Sequence, residues 1–151
     1  MTITASQFHT KLVAAAVARP EIRRHTRGQK GHQGDVYCHP VTSRPTAWSR
    51  ATPGRQVAVG DTVGSRHVAD GEDISVYWPV SQDTAMAECP IPGFAEKLGG
   101  PEIARQCLGP IVVARKEWTL VHPEHAHHVF PAGTYLITYQ LDRRTMRVVR
   151  D

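Results

Sequence analysis

The chain has 151 residues, of which 40% are hydrophobic and 21% charged, and its formal net charge at pH 7 is +4. This length suits a single domain with an ordinary core, and the absence of an apolar run of about 18 residues predicts that no helix spans a membrane. Cys38, Cys89 and Cys107 are widely spaced and form no C-x-x-C pair. This spacing argues against a disulfide framework and a cysteine zinc site, and favours a reducing, cytoplasmic setting.

The N-terminal residues have the signals of a helix. Thr4 and Gln7 have the spacing of a capping box, apolar residues then recur on one helical face, and Pro20 closes the segment. We therefore predict a helix at residues 5–18, in preference to a secretory signal peptide.

Basic charge is concentrated at the N-terminal end. Residues 1–55 hold nine basic and two acidic side chains, and the glycine-punctuated stretch 21–34 is typical of a linker. We divide the chain into an arm of helix and basic linker, residues 1–34, and a β-rich domain, residues 35–151. The basic excess is typical of a solvated tail or of a segment that attracts phosphate, and both interpretations stay open.

The rest of the chain has the texture of short strands. Strands are predicted in "DVYCHPV", in two or three pieces of "QVAVGDTVGSRHVADGEDISVYW", in "PIVVARKEWTLVH", in "GTYLITYQLD" and at the edge segment "MRVVRD". The Asp70-Gly71 step indicates a hairpin. "GPEIARQCLG", with Pro101 in its first turn and Gly109 beyond its end, predicts a short helix.

The pattern of the strand "GTYLITYQLD" predicts its environment. Tyr135, Ile137, Tyr139 and Leu141 alternate with mostly polar residues, as in an antiparallel strand with one buried face. Taken together, the elements predict a mainly β fold, a small antiparallel barrel or sandwich, with an N-terminal helix and one short inserted helix.

Histidines are concentrated in "HPEHAHH", between two predicted strands. Zinc and iron(II) bind neutral imidazole nitrogens, often with a carboxylate. The candidate ligands of a metal site are therefore His67, His122, His125 and His127, with Glu124 as a further ligand or a base acting on metal-bound water. Two alternatives stay open: a polar loop with solvated histidines, and histidine acid–base or pH-responsive chemistry without metal.

Two short motifs carry a resemblance to a known group. They are "QGDV" at residues 33–36, and "HPEH" at 122–125 followed by "PAGTY" at 131–135. With these motifs the chain resembles a group of small bacterial and phage-associated β-domain proteins. The group's Gly-His-Ala-His step survives here only as Gly64, Ser65, Arg66 and His67, which removes one histidine. The resemblance implies a compact β fold and does not imply an activity.

A nucleic-acid-binding interpretation rests on the basic N-terminal third. Small β-barrels bind single strands with basic grooves and aromatic platforms. Trp48 is the candidate stacking residue, with packing over the barrel end as its alternative role. The candidate phosphate-binding residues are Arg23, Arg24, Arg27, Lys30 and Arg50.

No pattern predicts a catalytic constellation. Cys38 and His39 are neighbours on a strand and point to opposite faces, and "GDTVG" lacks the lysine of a phosphate loop. We therefore predict a non-enzymatic binding or assembly module whose arm engages a protein partner, a second copy of the chain or a larger assembly such as a phage particle. A zinc or iron protein or metal-dependent enzyme is the alternative, and a nucleic-acid-binding barrel is the third interpretation.

Overall fold

The structure is a computed structural model and describes residues 21–58, 66–142, 144, 145, 147 and 148. The helix predicted at residues 5–18 lies outside these ranges and stays a prediction. The described residues are mainly β, as predicted, and none of their helices is long and apolar enough to cross a membrane.

The strands form two large sheets. In chain order they are β1 (Ile22–Arg24), β2 (Gly31–Gln33), β3 (Val36–Val41), β4 (Arg50–Thr52), β5 (Gln56–Ala58), β6 (His67–Asp70), β7 (Ile74–Trp78), β8 (Leu108–Ala114), β9 (Trp118–Val121), β10 (His127–Phe130), β11 (Gly133–Tyr139), β12 (Leu141–Asp142) and β13 (Arg147–Val148). One sheet has the order β1-β10-β9-β6-β5 and the other β2-β3-β11-β8-β7-β4, while β12 pairs with β13. The sheets do not close into a barrel, so of the two predicted architectures the sandwich fits.

The main core contains residues of both large sheets. Trp118 and Phe130 of the five-stranded sheet lie in one buried cluster with Tyr135 and Ile137 of the six-stranded sheet. The rings of Trp118 and Phe130 are stacked with their centroids 5.1 Å apart. Burying such side chains stabilises each by roughly 1.5–3 kcal/mol, which holds the two sheets together.

Helices cover the outer face of the six-stranded sheet. The segment after β7 holds α1 (Gln82–Ala87), α2 (Phe94–Leu98) and α3 (Pro101–Ala104), and α3 continues into a 3₁₀ turn (Arg105–Cys107). The helix predicted from Pro101 is therefore present, but α1 and α2 are additional to the single helix predicted. They are too short for a visible apolar periodicity, although Ser81 caps α1 by accepting a hydrogen bond from the N–H of Thr84.

This helical layer corrects the prediction that β11 has one polar face. Tyr135 and Ile137 face the main core, but Leu136 on the opposite face is fully buried in a second cluster with Trp48 and Phe94. Leu141 also belongs to this second cluster. The sequence pattern indicated a polar face because threonine alternates with leucine there. Thr138 is nevertheless buried, and its hydroxyl makes a hydrogen bond with His39.

The hairpin predicted at Asp70-Gly71 is wrong. Strand β6 pairs with β5 and β9, whereas β7 pairs with β4 and β8 in the other sheet. The chain crosses between sheets through Gly71, whose φ is +155° and whose added Cβ would lie 3.1 Å from Trp118 Cβ. Glycine is thus required for a corner between the sheets.

The segment predicted as a linker contributes to both sheets. β1 pairs in parallel with β10, and β2 forms an antiparallel hairpin with β3. All three residues of β1 are exposed, so the segment lacks the apolar alternation that would have marked a strand. The sandwich therefore begins well before residue 35.

Candidate functional site

A group of histidines lies at one end of the sandwich, where three chain segments meet. We define the histidine cluster as His67, His122 and His125, together with Gln33 and Asp35. The register of β6 and β9 pairs Val68 with Val121, so His67 and His122, the next residues outward, lie side by side.

The cluster brings together three of the histidines predicted as metal ligands. The ring centroids of His67 and His122 are 4.4 Å apart, as are those of His122 and His125. The His67 and His125 centroids are 6.2 Å apart. Three rings from β6 and the β9–β10 loop thus surround a common region.

His67 is held by hydrogen bonds at both ring nitrogens. The Gln33 amide nitrogen donates to the backbone carbonyls of Leu120 at 2.9 Å and Ala126 at 2.7 Å. The other amide atom, Oε1, is therefore an acceptor and takes a hydrogen bond from His67 Nδ1 at 2.9 Å. His67 Nε2 faces Asp35 Oδ1 at 3.0 Å, and both of these side chains are buried.

His122 has one unpartnered nitrogen inside the protein. Its Nδ1 accepts a hydrogen bond from the backbone N–H of Glu124 at 3.0 Å. Its Nε2 is buried and has no hydrogen-bond partner among the described residues. Burial, followed by the charges of His67 and His125, lowers the pKa of His122 to about 4, so its ring is neutral at pH 7.

The structure separates the remaining two metal candidates from the cluster. Glu124 is exposed and contributes its backbone N–H. His127 lies in β10, where it pairs with Ile22 of β1. Among the described residues, no group of three or more histidine, cysteine, aspartate or glutamate side chains stands ready to hold a metal ion.

Gln33 and Asp35 are the two cluster residues that the sequence did not indicate as part of a site. They flank the turn between β2 and β3, where Gly34 has a φ of +58°. Both belong to "QGDV", a motif noted for its resemblance to other proteins but given no role. A glutamine and an aspartate two residues apart beside a tight turn are the available signal.

A second histidine pair attaches the N-terminal strand. His25, just after β1, lies with its Nε2 2.7 Å from His128 Nδ1 and stacks on Phe130 with a centroid distance of 4.5 Å. Burial lowers the pKa of His25, and it lowers that of His128 to about 4. Neutral imidazoles share one hydrogen bond, so this contact holds β1 against the five-stranded sheet.

A cleft of about 780 Å³ lies on another part of the surface. We call it the basic cleft because Arg27 and Lys30 line it and no described acidic side chain does. Its lining residues are Arg27, Gly28, Lys30, His39, Pro40, Val41, Thr42, Pro90, Ile91, Pro92, Ala132, Gly133, Thr134 and Tyr135. Burial, Lys30 and Lys97 lower the pKa of His39 to about 4, so positive potential in the cleft comes from lysine and arginine.

The residues predicted to bind nucleic acid do not share one surface. Trp48 is fully buried and donates from its ring nitrogen to the Gly109 carbonyl, so packing, its alternative role, is the one found. Arg23 pairs with Glu21 and Arg24 with Glu117. Only two of the predicted residues line the basic cleft.

Arg50 lies elsewhere, in a separate groove beside β4.

Comparisons of the chain with protein-family models, curated proteins and solved structures gave no match.

Proposed function

We propose that the protein is a non-enzymatic binding module that holds an acidic segment of a protein partner in the basic cleft. The observation that carries the proposal is a cleft of about 780 Å³ with two cationic side chains and no described acidic one. Ligand sites are commonly concave and largely apolar, with a few polar groups that fix orientation.

The cations of the cleft lack acidic partners within the described part of the protein. Five Arg or Lys side chains elsewhere form ion pairs with acidic residues, whereas Arg27 and Lys30 form no ion pair with another described residue. Lys30 instead places its ammonium 5.5 Å from the centre of the Tyr37 ring. A partner that supplies carboxylates would therefore complete the charge pairing.

The remaining lining of the cleft favours a peptide that also carries apolar side chains. Pro40 and Val41 form one part of the lining, and Pro90, Ile91 and Pro92 come from the segment between α1 and α2. Proline-rich walls are rigid and lose little conformational entropy on binding. An extended segment in which acidic and apolar residues alternate matches this combination.

The cleft favours a protein over a nucleic acid. Non-specific single-strand sites combine basic groups with aromatic rings on which bases stack. Apart from the His39 imidazole, the aromatic ring in the lining is that of Tyr135, which is only 3% exposed and whose hydroxyl donates to the Pro131 carbonyl. The ring therefore offers little surface for a base.

The location also agrees with the interpretation of the basic arm. Arg27, Gly28 and Lys30 belong to the segment 21–34 and line the cleft. The described part of the arm, which is itself part of the sandwich, therefore lines one side of the cleft, and Pro90, Ile91 and Pro92 line another.

Fluorescence anisotropy with a labelled peptide of alternating glutamate and leucine tests the proposal. We expect Arg27→Glu/Lys30→Glu to weaken binding at least about tenfold, because two attractions of roughly 0.2–1 kcal/mol each become repulsions. Arg50→Glu/Arg66→Glu changes the net charge equally outside the cleft and should leave affinity within about twofold.

Equal losses in both double variants would show a general charge effect and contradict a cleft site. Tighter binding of a single-stranded oligonucleotide than of the peptide, abolished by Arg27→Glu/Lys30→Glu, would assign the cleft to nucleic acid instead. A lysine–leucine peptide is the matched probe and should not bind.

A further inference from the structure

The histidine cluster places three imidazole rings and one carboxylate side by side at one end of the sandwich. We propose that a divalent transition metal ion, zinc or iron(II), binds among His67, Asp35 and His122, with His125 on the side nearest the surface. This site is separate from the basic cleft, and its test does not depend on the proposed peptide binding.

The contact between His67 and Asp35 fits two ligands of one ion. Their facing atoms, Nε2 and Oδ1, are 3.0 Å apart. Zinc lies about 2.0–2.1 Å from its ligand atoms, which places two ligands of a tetrahedron roughly 3.3 Å apart. A metal ion could therefore replace the proton between these atoms after a small displacement.

The rings of the cluster have suitable spacing. With zinc about 2.0–2.1 Å from each ligating nitrogen, the centroids of two coordinated imidazoles lie roughly 5 Å apart. The three observed centroid distances are 4.4, 4.4 and 6.2 Å. The observed distances lie on both sides of the expected value, so small shifts of the His122 and His125 rings would bring them around one centre.

Gln33 performs the orienting role found around bound metals. A histidine ligand usually donates from its second nitrogen to a fixed acceptor, which sets the tautomer and the ring orientation. His67 does so through Nδ1 to Gln33 Oε1, and two backbone carbonyls hold the Gln33 amide in place. His67 Nε2 is left to face the site.

The buried nitrogen of His122 supports the proposed metal site independently of the ring spacing. His122 is 3% exposed, and its Nε2 has no partner among the described residues. A buried polar atom without a partner has an energetic cost to the fold. Metal coordination would satisfy Nε2 and remove this cost.

The loop from 122 to 126 must adjust for the ion to enter. Coordination by Nε2 requires the His122 proton on Nδ1, which now accepts the Glu124 N–H. That hydrogen bond must therefore break before Nε2 can bind an ion, and the side chains as they stand do not form a ready set of ligands. Pro123 and Glu124 are exposed, so the loop has room to move and provides the path of entry.

The test is calorimetric titration of the chelator-treated, tag-free full chain with zinc chloride, and anaerobically with ferrous ion. We expect one ion per chain for at least one metal. His122→Ala, Asp35→Asn and His125→Ala should each weaken binding at least about tenfold, because loss of a mere outer partner already costs about 10–100-fold. Near-ultraviolet circular dichroism establishes that each variant is folded.

His125→Ala keeps the test decisive if a buried variant fails to fold, because His125 is only partly buried. The matched controls are His32→Ala, on the exposed side of β2, and His128→Phe, which removes the second histidine pair. Both should bind metal as the wild type does. Failure of the folded wild type to bind either ion would overturn the proposal, as would unchanged binding by His125→Ala or loss of binding in His128→Phe alone.

Discussion

The Gln33→Leu substitution tests how the histidine cluster is held together. The Gln33 side chain is 1% exposed and makes three hydrogen bonds, two to backbone carbonyls and one to His67. Leucine fills a similar volume but leaves the Leu120 and Ala126 carbonyls and His67 Nδ1 without this partner. At about 1 kcal/mol for each hydrogen bond, we expect the free energy of unfolding to fall by about 3 kcal/mol.

Urea denaturation followed by tryptophan fluorescence measures this loss. With a slope of about 1–3 kcal/mol per molar urea, the unfolding midpoint should fall by roughly 1–3 M. Gln140→Leu is the matched control, because Gln140 is exposed, and it should change stability by less than about 0.5 kcal/mol. A Gln33→Leu loss no larger than that of the control would refute the hydrogen-bonding role of Gln33.

Three further predictions concern acid stability, packing and thiols. Burial lowers the pKa of His128 to about 4 from an ordinary 6.5, so its neutral form stabilises the fold above pH 6.5 and this contribution is lost as the pH falls towards 4. His128→Phe should therefore reduce the loss of unfolding free energy between pH 7 and pH 4 by on the order of 3 kcal/mol, and an unchanged pH dependence would contradict this. Gly109→Ala should lower the thermal midpoint strongly, because the added Cβ would lie 2.6 Å from the Tyr139 hydroxyl and 2.8 Å from the Ile137 carbonyl. Gly54→Ala is the control, because the nearest atom to its added Cβ is 3.5 Å away. Similar midpoints for the two variants would show that the structure around residue 109 relaxes to accept a methyl group. Burial raises the pKa of Cys107 to about 11, so a thiol reagent should modify half-buried Cys89 first in the folded protein, and simultaneous reaction of both would be inconsistent with the packing.

The fold class could be predicted because β signals are local. The strand around Val36–Val41 and the two strands that flank the histidine loop follow from β-branched runs and turn residues. Which sheet each strand joins depends on contacts between distant residues. The sequence around Gly71 therefore predicted a hairpin, although the chain crosses there from one sheet to the other.

The buried outer face of β11 could not be predicted from its own sequence. Leu136 is covered by residues that include Trp48 and Phe94, and neither lies near it in the chain. The helices that complete this layer have four to six residues, too few to show a periodic apolar face. Their presence is decided by packing on the sheet.

The sequence singled out His67, His122 and His125 as candidates, but it did not show that they meet in space or which residues hold them there. The histidines stand out because four lie within seven residues, whereas Gln33 and Asp35 are common residue types in a turn. Whether Gln33 and Asp35 reach the histidines depends on the strand pairing that brings β2, β6 and β9 to the same end of the sandwich. Such register is a property of the assembled sheets.

Mapping the acidic peptide on the full chain by ¹⁵N-resolved NMR tests the proposed binding function most directly. We expect titration to shift the backbone signals of Gly28, Lys30, Ile91 and Gly133, which line the basic cleft from three separate segments. Signals near Arg50, in the groove beside β4, should stay in place. Shifts centred on that groove, or no shifts at peptide concentrations that saturate anisotropy, would contradict the assignment of the basic cleft as the binding site.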